Sequence, residues 1–184
     1  MQQPVLFLAV VLLLSAGCIG STAFNGYFAS FSGILERNGA MGSLGVPGEM
    51  NQVNGLLVEL FALQNWLSKQ PLSPDRAAIS QLVEAELNLA SMQQHFLLGQ
   101  EQARLANLAF PSCEPESKLG KAVVHLETAQ AQSILAEQNF KSFQADYSFF
   151  ARQTKIGFDS LSLNLAASKQ SIAQNKQNIQ NFCP

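Results

Sequence analysis

Apolar residues recur at every third or fourth position along most of the chain, and this spacing predicts α-helices. The first predicted helix covers residues 24–35 and is expected to end at Asn38-Gly39. Residues 39–48 contain four glycines and one proline, a composition that favours a loop over a continued helix. The N-terminal part of the pattern therefore predicts a short aromatic helix followed by a loop.

The second predicted helix, residues 49–68, is separated from the third by a strong turn signal. Ser73 is suited to cap the free amide groups of the third helix, and Pro74 suits its first position. Pro111 stops this helix, which is therefore predicted to run from Pro74 to about Phe110. Its predicted buried stripe comprises Leu82, Ala85, Leu89, Met92, Phe96, Ala103 and Phe110.

A further apolar stripe begins near Glu116 and continues to the C-terminus. Between Phe140 and Cys183 its steps average about 3.6 residues, which suits nearly straight helices in a coiled-coil-like bundle better than a fibrous coiled coil. The stripe consists of Leu119, Val123, Leu126, Ile134, Phe140, Phe143, Tyr147, Phe150, Phe158, Leu161, Leu165, Ile172 and Ile179.

The cysteines bear on whether this C-terminal segment is one helix or two. A single helix from Glu116 to Phe182 would be about 100 Å long and would separate Cys183 from Cys113. A disulfide between these two cysteines needs Cα atoms within about 7 Å, so it predicts a reversal in residues 146–158. The resulting fold is an all-α antiparallel bundle of four to five helices. Unpaired thiols, or pairing between chains, are the alternatives.

The N-terminal segment has the features of an export signal. An apolar run, residues 5–14, is too short to span a bilayer comfortably, and small residues follow it. We therefore expect residues 1–20 to be a signal peptide and residues 21–184 to form a single helical-bundle domain.

Three fates of this segment are consistent with the sequence. Cleavage after Gly20 or Ala23 would release a secreted or periplasmic protein. The run from Leu14 to Cys18 resembles the bacterial lipobox, which implies lipidation of Cys18 and a lipid-anchored envelope protein. The sequence departs from the lipobox pattern in two ways. Ser15 stands where leucine is commonest, and the N-terminus has no lysine or arginine. An uncleaved membrane anchor is the third alternative.

The composition limits the classes of partner. Apolar residues make up 47% of the chain and charged residues 13%, with a formal net charge of −2. Because nucleic-acid binding requires clustered lysine and arginine, we expect no nucleic-acid partner. We expect an unknown protein partner or a membrane, with a homo-oligomer as a further alternative.

The sequence predicts no catalytic, cofactor-binding or metal-binding residue. His95 and His125 are the only histidines. Reflecting the chain about Cys113 places His95 opposite about Ala131, so His125 is expected to be offset by several residues. No Glu-X-X-His motif accompanies either histidine, and no serine lies in a Gly-X-Ser-X-Gly elbow. The protein is therefore predicted not to be an enzyme.

The aromatic N-terminal helix offers the main functional hypothesis. Phe24, Tyr27, Phe28 and Phe31 have no flanking charge, so they either pack in the core or contact a membrane or a partner. We expect an exported, non-enzymatic protein that acts by binding or structural support. The alternative is a membrane-active protein that inserts this helix into a bilayer.

Overall fold

The computed structural model describes residues 23–40, 46–106, 108, 111–154 and 156–182. These residues form six helices and no strand, which confirms the all-α class. The helices are α1 (residues 23–37), α2 (Met50–Ser68), α3 (Pro74–Arg104), α4 (Lys118–Asp146), α5 (Ser148–Thr154) and α6 (Phe158–Gln180). The short α5 was not expected and lies within the segment that was predicted to reverse the chain.

Local signals set the helix ends that the sequence marked most clearly. Gly39 has a φ of 71° and ends α1, and the amide of Ala40 donates to the carbonyl oxygen of Leu35 at 2.8 Å. At the start of α3, the Ser73 hydroxyl accepts a hydrogen bond from the amide of Arg76 at 3.1 Å. Both predicted boundaries are confirmed.

The predicted end of the third helix at Phe110 is wrong, because α3 ends at Arg104. Pro111 marks the last position that a helix can reach and does not require the helix to extend that far. The next helix, α4, begins at Lys118 after Ser117, whose hydroxyl accepts a hydrogen bond from the amide of Gly120 at 3.0 Å. The connection between α3 and α4 is therefore longer than the sequence pattern indicated.

Helix α3 is the central helix and packs against α2, α4 and α6. One set of buried positions on α3 and one on α4 recur in the alternating three- and four-residue steps of a heptad repeat. They are Ala78, Leu82, Ala85, Leu89 and Met92 on α3, and Leu119, Ala122, Leu126, Ala129, Ser133, Ala136, Phe140 and Phe143 on α4. Because many of these residues are small, the two helices approach each other closely.

The predicted burial of Ile134 is wrong. The side chain of Ile134 is 46% exposed, and Ser133 is completely buried in its place. Ser133 continues the heptad spacing from Ala129 to Ala136, and its hydroxyl donates to the carbonyl oxygen of Gln130 at 2.6 Å. This local hydrogen bond lets a serine occupy a buried position, so hydrophobicity alone did not identify it.

Helix α6 contacts α4 through two ion pairs. Lys169 pairs with Glu137, and Lys176 pairs with Glu127 at 2.9 Å. Residue numbers therefore rise along α6 as they fall along α4. The long helical pattern is interrupted within residues 146–158, where the reversal was predicted, since α4 ends at Asp146 and α6 begins at Phe158.

Candidate functional site

Helices α1 and α2 form a hairpin that is unusually poor in charge. Residues 23–68 contain four charged residues, Glu36, Arg37, Glu49 and Glu59. Within α2 itself, Glu59 is the only charged side chain. The hairpin is therefore the part of the described structure with the composition most suited to an apolar contact.

The structure places the four aromatic residues of α1 in the core or at its edge. Phe24 and Phe31 are completely buried, and the ring centroid of Phe24 lies 4.6 Å from that of Phe150. Tyr27 and Phe28 are half-buried. In this packed state Phe24 and Phe31 would have to leave the core to reach a membrane or a partner, so that contact stays a prediction.

Helix α2 exposes apolar side chains on the surface opposite its core stripe. Val58 is 69% exposed and Phe61 is 57% exposed, although each lies between buried leucines in the sequence. Trp66 is 45% exposed, and its ring centroid lies 5.6 Å from that of Tyr27. A helix that is apolar on both sides commonly contacts something besides its own core. The sequence analysis did not identify this surface, because Val58 and Phe61 each adjoin a buried leucine in the sequence.

A polar contact joins the end of α1 to the middle of α2. The side-chain amide of buried Asn38 donates hydrogen bonds to the carboxylate of Glu59 and to the carbonyl oxygen of Ile34, both at 2.9 Å. Arg37 forms an ion pair with Glu59, and these bonds lower the pKa of the Glu59 carboxyl. A Cβ atom at Gly55 would lie only 2.6 Å from the side-chain oxygen of Asn38. Gly55 therefore permits this contact, which we call the hairpin clasp: Arg37, Asn38, Gly55 and Glu59.

The two histidines meet between α3 and α4. The Nδ1 atoms of His95 and His125 lie 3.0 Å apart, and both rings are partly exposed. Burial, followed by the nearby His125, lowers the pKa of His95. The expectation that His125 would be offset by several residues is therefore wrong.

The error arose from the assumed position of the turn. Residue 110 is the midpoint of the chain between His95 and His125, so the two helices pair as if the chain turned at that residue. The expectation placed the turn at Cys113 instead, three residues later. The register is set instead by close packing at Gly99, where an added Cβ would lie 3.0 Å from Leu126 and 3.3 Å from the carbonyl oxygen of Ala122. Gly99 follows His95 by one helical turn, and Ala122 and Leu126 flank His125.

Glu86 is a completely buried carboxyl group in the middle of α3. Neither of its side-chain oxygens has a hydrogen-bond partner within the part of the chain that the structure describes. Burial raises the pKa of Glu86 to about 8, so the group is protonated at neutral pH. Its position suggests a role in pH-dependent stability, and the sequence pattern did not distinguish it from exposed Glu84.

The cysteine predictions are only partly covered by the described residues. The sulfur of Cys113 is not a free thiol, and it lies 3.6 Å from the carbonyl oxygen of Phe182. Cys183, the next residue, lies outside the described residues, so its pairing with Cys113 stays a prediction. Cys18 and the whole predicted signal peptide, residues 1–20, also lie outside them.

Within the described ranges, no group of three or more His, Cys, Asp or Glu side chains is arranged to hold a metal ion. No described helix is long and apolar enough to cross a membrane. Comparisons with models of known families, with curated proteins and with solved structures found no match to this chain.

Proposed function

We propose that this chain is an exported, non-enzymatic helical-bundle protein that binds a protein partner through the outward face of α2. The observation that carries the proposal is the exposure of Val58 and Phe61, at 69% and 57%, on a helix with one charged residue. Large exposed apolar side chains at helical spacing are typical of a contact surface. Trp66 extends the apolar character towards the end of the helix.

The bundle provides a rigid support for this surface. The pairs His95–His125 and Glu137–Lys169 connect neighbouring helices and support an antiparallel arrangement. The proposed Cys113–Cys183 disulfide would join the chain near the two ends of the α4–α6 segment, which suits an oxidising compartment outside the cytoplasm. Intact mass measurement of the native protein tests signal cleavage, lipidation of Cys18 and this disulfide together.

Photo-crosslinking tests the binding surface. A photoreactive phenylalanine analogue is placed at Phe61 in the exported protein, and the same analogue at Leu163 is the control. Leu163 is 72% exposed and lies on α6. We expect a discrete protein adduct from position 61 alone, and its loss when Val58→Asp is added. Equal labelling from both positions, or none from either, would contradict the proposal; an adduct with a second copy would identify a homo-oligomer.

Membrane insertion by α1 and α2 is the second candidate function. It is favoured by the low charge of residues 23–68, because apolar helices with few charges partition readily into lipid. The clasp and the buried Phe24 hold the hairpin in the bundle, so insertion requires its release.

Dye release from anionic liposomes separates the two candidates. Trp66 is the only tryptophan of the chain, so its emission reports directly on the hairpin. Leakage together with a blue shift of Trp66 emission supports insertion. An unchanged spectrum without leakage excludes insertion under those conditions, whereas the crosslinking result would stand independently.

A further inference from the structure

Helix α4 carries a second regular stripe of side chains on the side away from its core. Leu135 follows the buried Ser133 by two residues and therefore lies about 200° from it around the helix axis. The stripe recurs in alternating four- and three-residue steps, the spacing of a seam between two packed helices, and it contains no charged residue. We call this stripe the α4 outer seam: Val124, Thr128, Ala131, Leu135, Gln138, Ser142 and Ala145.

The α4 outer seam is exposed over most of its length. Thr128 and Ser142 are half-buried, and the other five residues are exposed. Val124 is 54% exposed and Leu135 is 44% exposed, and Ile134 beside the seam is 46% exposed. Apolar side chains that recur on one uncovered helix face are typical of a contact surface.

The seam matches itself when a second copy of α4 runs in the opposite direction. A two-fold axis at position 133 places residues that are equally far from that position against each other. The resulting pairs are Val124 with Ser142, Thr128 with Gln138, and Ala131 with Leu135.

The charged residues that flank the seam are complementary in the same arrangement. Glu127 and Lys141 lie on one flank, seven residues to either side of position 134, and Lys118 and Asp146 lie on the other, fourteen residues to either side of position 132. In an antiparallel pair each flank faces the same flank of the second helix. Glu127 therefore faces Lys141 of the second copy, and Lys118 faces Asp146 of the second copy. A parallel pair would match only Lys141 with Asp146, so the charges favour the antiparallel direction.

These flanking charges are accessible to a second copy. All four side chains belong to exposed residues. Glu127 pairs with Lys176 and Lys141 pairs with Glu137 within the chain, yet the side chains of Glu127 and Lys141 stay 54% and 69% exposed. Exposed ion pairs contribute little to affinity, and their main effect is to select the orientation of the partner.

We propose that the exported chain forms a two-fold symmetric dimer in which the α4 outer seams of two copies pack antiparallel. The second copy is the occupant because the seam and both of its charged flanks are self-complementary about nearly the same position. The dimer surface lies on a different helix from the outward face of α2, so it is separate from the proposed partner surface.

Sedimentation velocity tests the dimer and its surface. We expect a dimer for the unmodified protein and loss of the dimer in Leu135→Asp, with an unchanged circular dichroism spectrum. The matched control is Val58→Asp, which places the same charge at an exposed apolar position of α2 and should keep the dimer. An unmodified protein that stays monomeric up to about 100 µM, or a dimer that persists in Leu135→Asp, would overturn the proposal.

Cysteine crosslinking tests the direction of the two helices without relying on a destabilised variant. In the antiparallel dimer Ile134 lies beside Ile134 of the second copy, so Ile134→Cys should give a covalent dimer with a short bismaleimide. Val124→Cys should give none, because position 124 of the second copy is eighteen residues, or about 27 Å, further along the helix axis. The unmodified protein, treated in the same way, measures the reaction of the native cysteines. Crosslinking of Val124→Cys, or its absence in Ile134→Cys, would contradict the antiparallel seam.

Discussion

Glu86 provides the sharpest test of the core. Its pKa rises from 4.5 to about 8 on folding because the carboxyl group is completely buried. At 1.36 kcal/mol for each pKa unit, this difference of about 3.5 corresponds to about 5 kcal/mol. The folded state holds the proton more tightly than the unfolded state does. The stability associated with protonated Glu86 is therefore complete below about pH 4.5 and is lost as the pH rises to about 8.

The perturbation is Glu86→Gln, which keeps the shape of the side chain and cannot ionise. Urea unfolding followed by circular dichroism, at intervals from about pH 5 to pH 9, measures the free energy of unfolding of both proteins. We expect the unmodified protein to lose about 4 kcal/mol relative to the variant across this range, because about 1 of the total 5 kcal/mol is already lost at pH 5. His95, whose lowered pKa gives an opposite slope below about pH 6.5, contributes equally to both proteins and cancels in the difference.

Glu84→Gln is the matched control, since Glu84 lies two residues away on the same helix and is exposed. Its pH profile should follow that of the unmodified protein. The reasoning fails if the Glu86→Gln profile runs parallel to the unmodified one, because the carboxyl group would then be solvated or paired in solution.

Three further predictions concern the disulfide, the clasp and the two kinds of aromatic residue. Cys113→Ser should lower stability by about 4 kcal/mol if Cys113 pairs with Cys183, and non-reducing peptide mapping checks that pairing directly. Gly55→Ala should cost about 1–3 kcal/mol in urea unfolding, because its Cβ displaces the buried amide of the clasp; an unchanged midpoint would contradict the close approach. Phe24→Ala should cost about 3–5 kcal/mol, whereas Phe61→Ala should cost less than about 0.5 kcal/mol. Equal losses at the two positions would show that they do not differ in burial.

Much of the helical architecture followed from local signals in the sequence. Ser73 and Pro74 marked the start of α3, and Asn38-Gly39 marked the end of α1, because caps and glycine turns act within a few residues. The reversal before α6 was also predicted, from the distance that a disulfide between Cys113 and Cys183 would allow. That argument needed only the number of residues between the two cysteines and the Cα separation that a disulfide allows, and neither depends on knowing the tertiary structure.

The relation between helices depended on tertiary packing. Large apolar residues dominate a sequence pattern, so the pattern placed Ile134 in the core, where the structure places Ser133. The same limitation hid the outward face of α2, because a helix that is apolar on both sides does not reveal which side is covered. Burial is decided by the neighbouring helix, and its position is not a local property.

The histidine pair shows this division most clearly. The sequence by itself determined that His95 and His125 lie on successive long helices, from periodicity and from the intervening prolines. Only the tertiary structure decided that they meet, since close packing of Gly99 against Leu126 sets the register between α3 and α4. A shift of one helical turn would move a side chain by about 5.4 Å, more than the 3.0 Å that separates the two nitrogens. Helix formation depends on neighbours in the chain, whereas a site shared by two helices depends on how closely their backbones can approach.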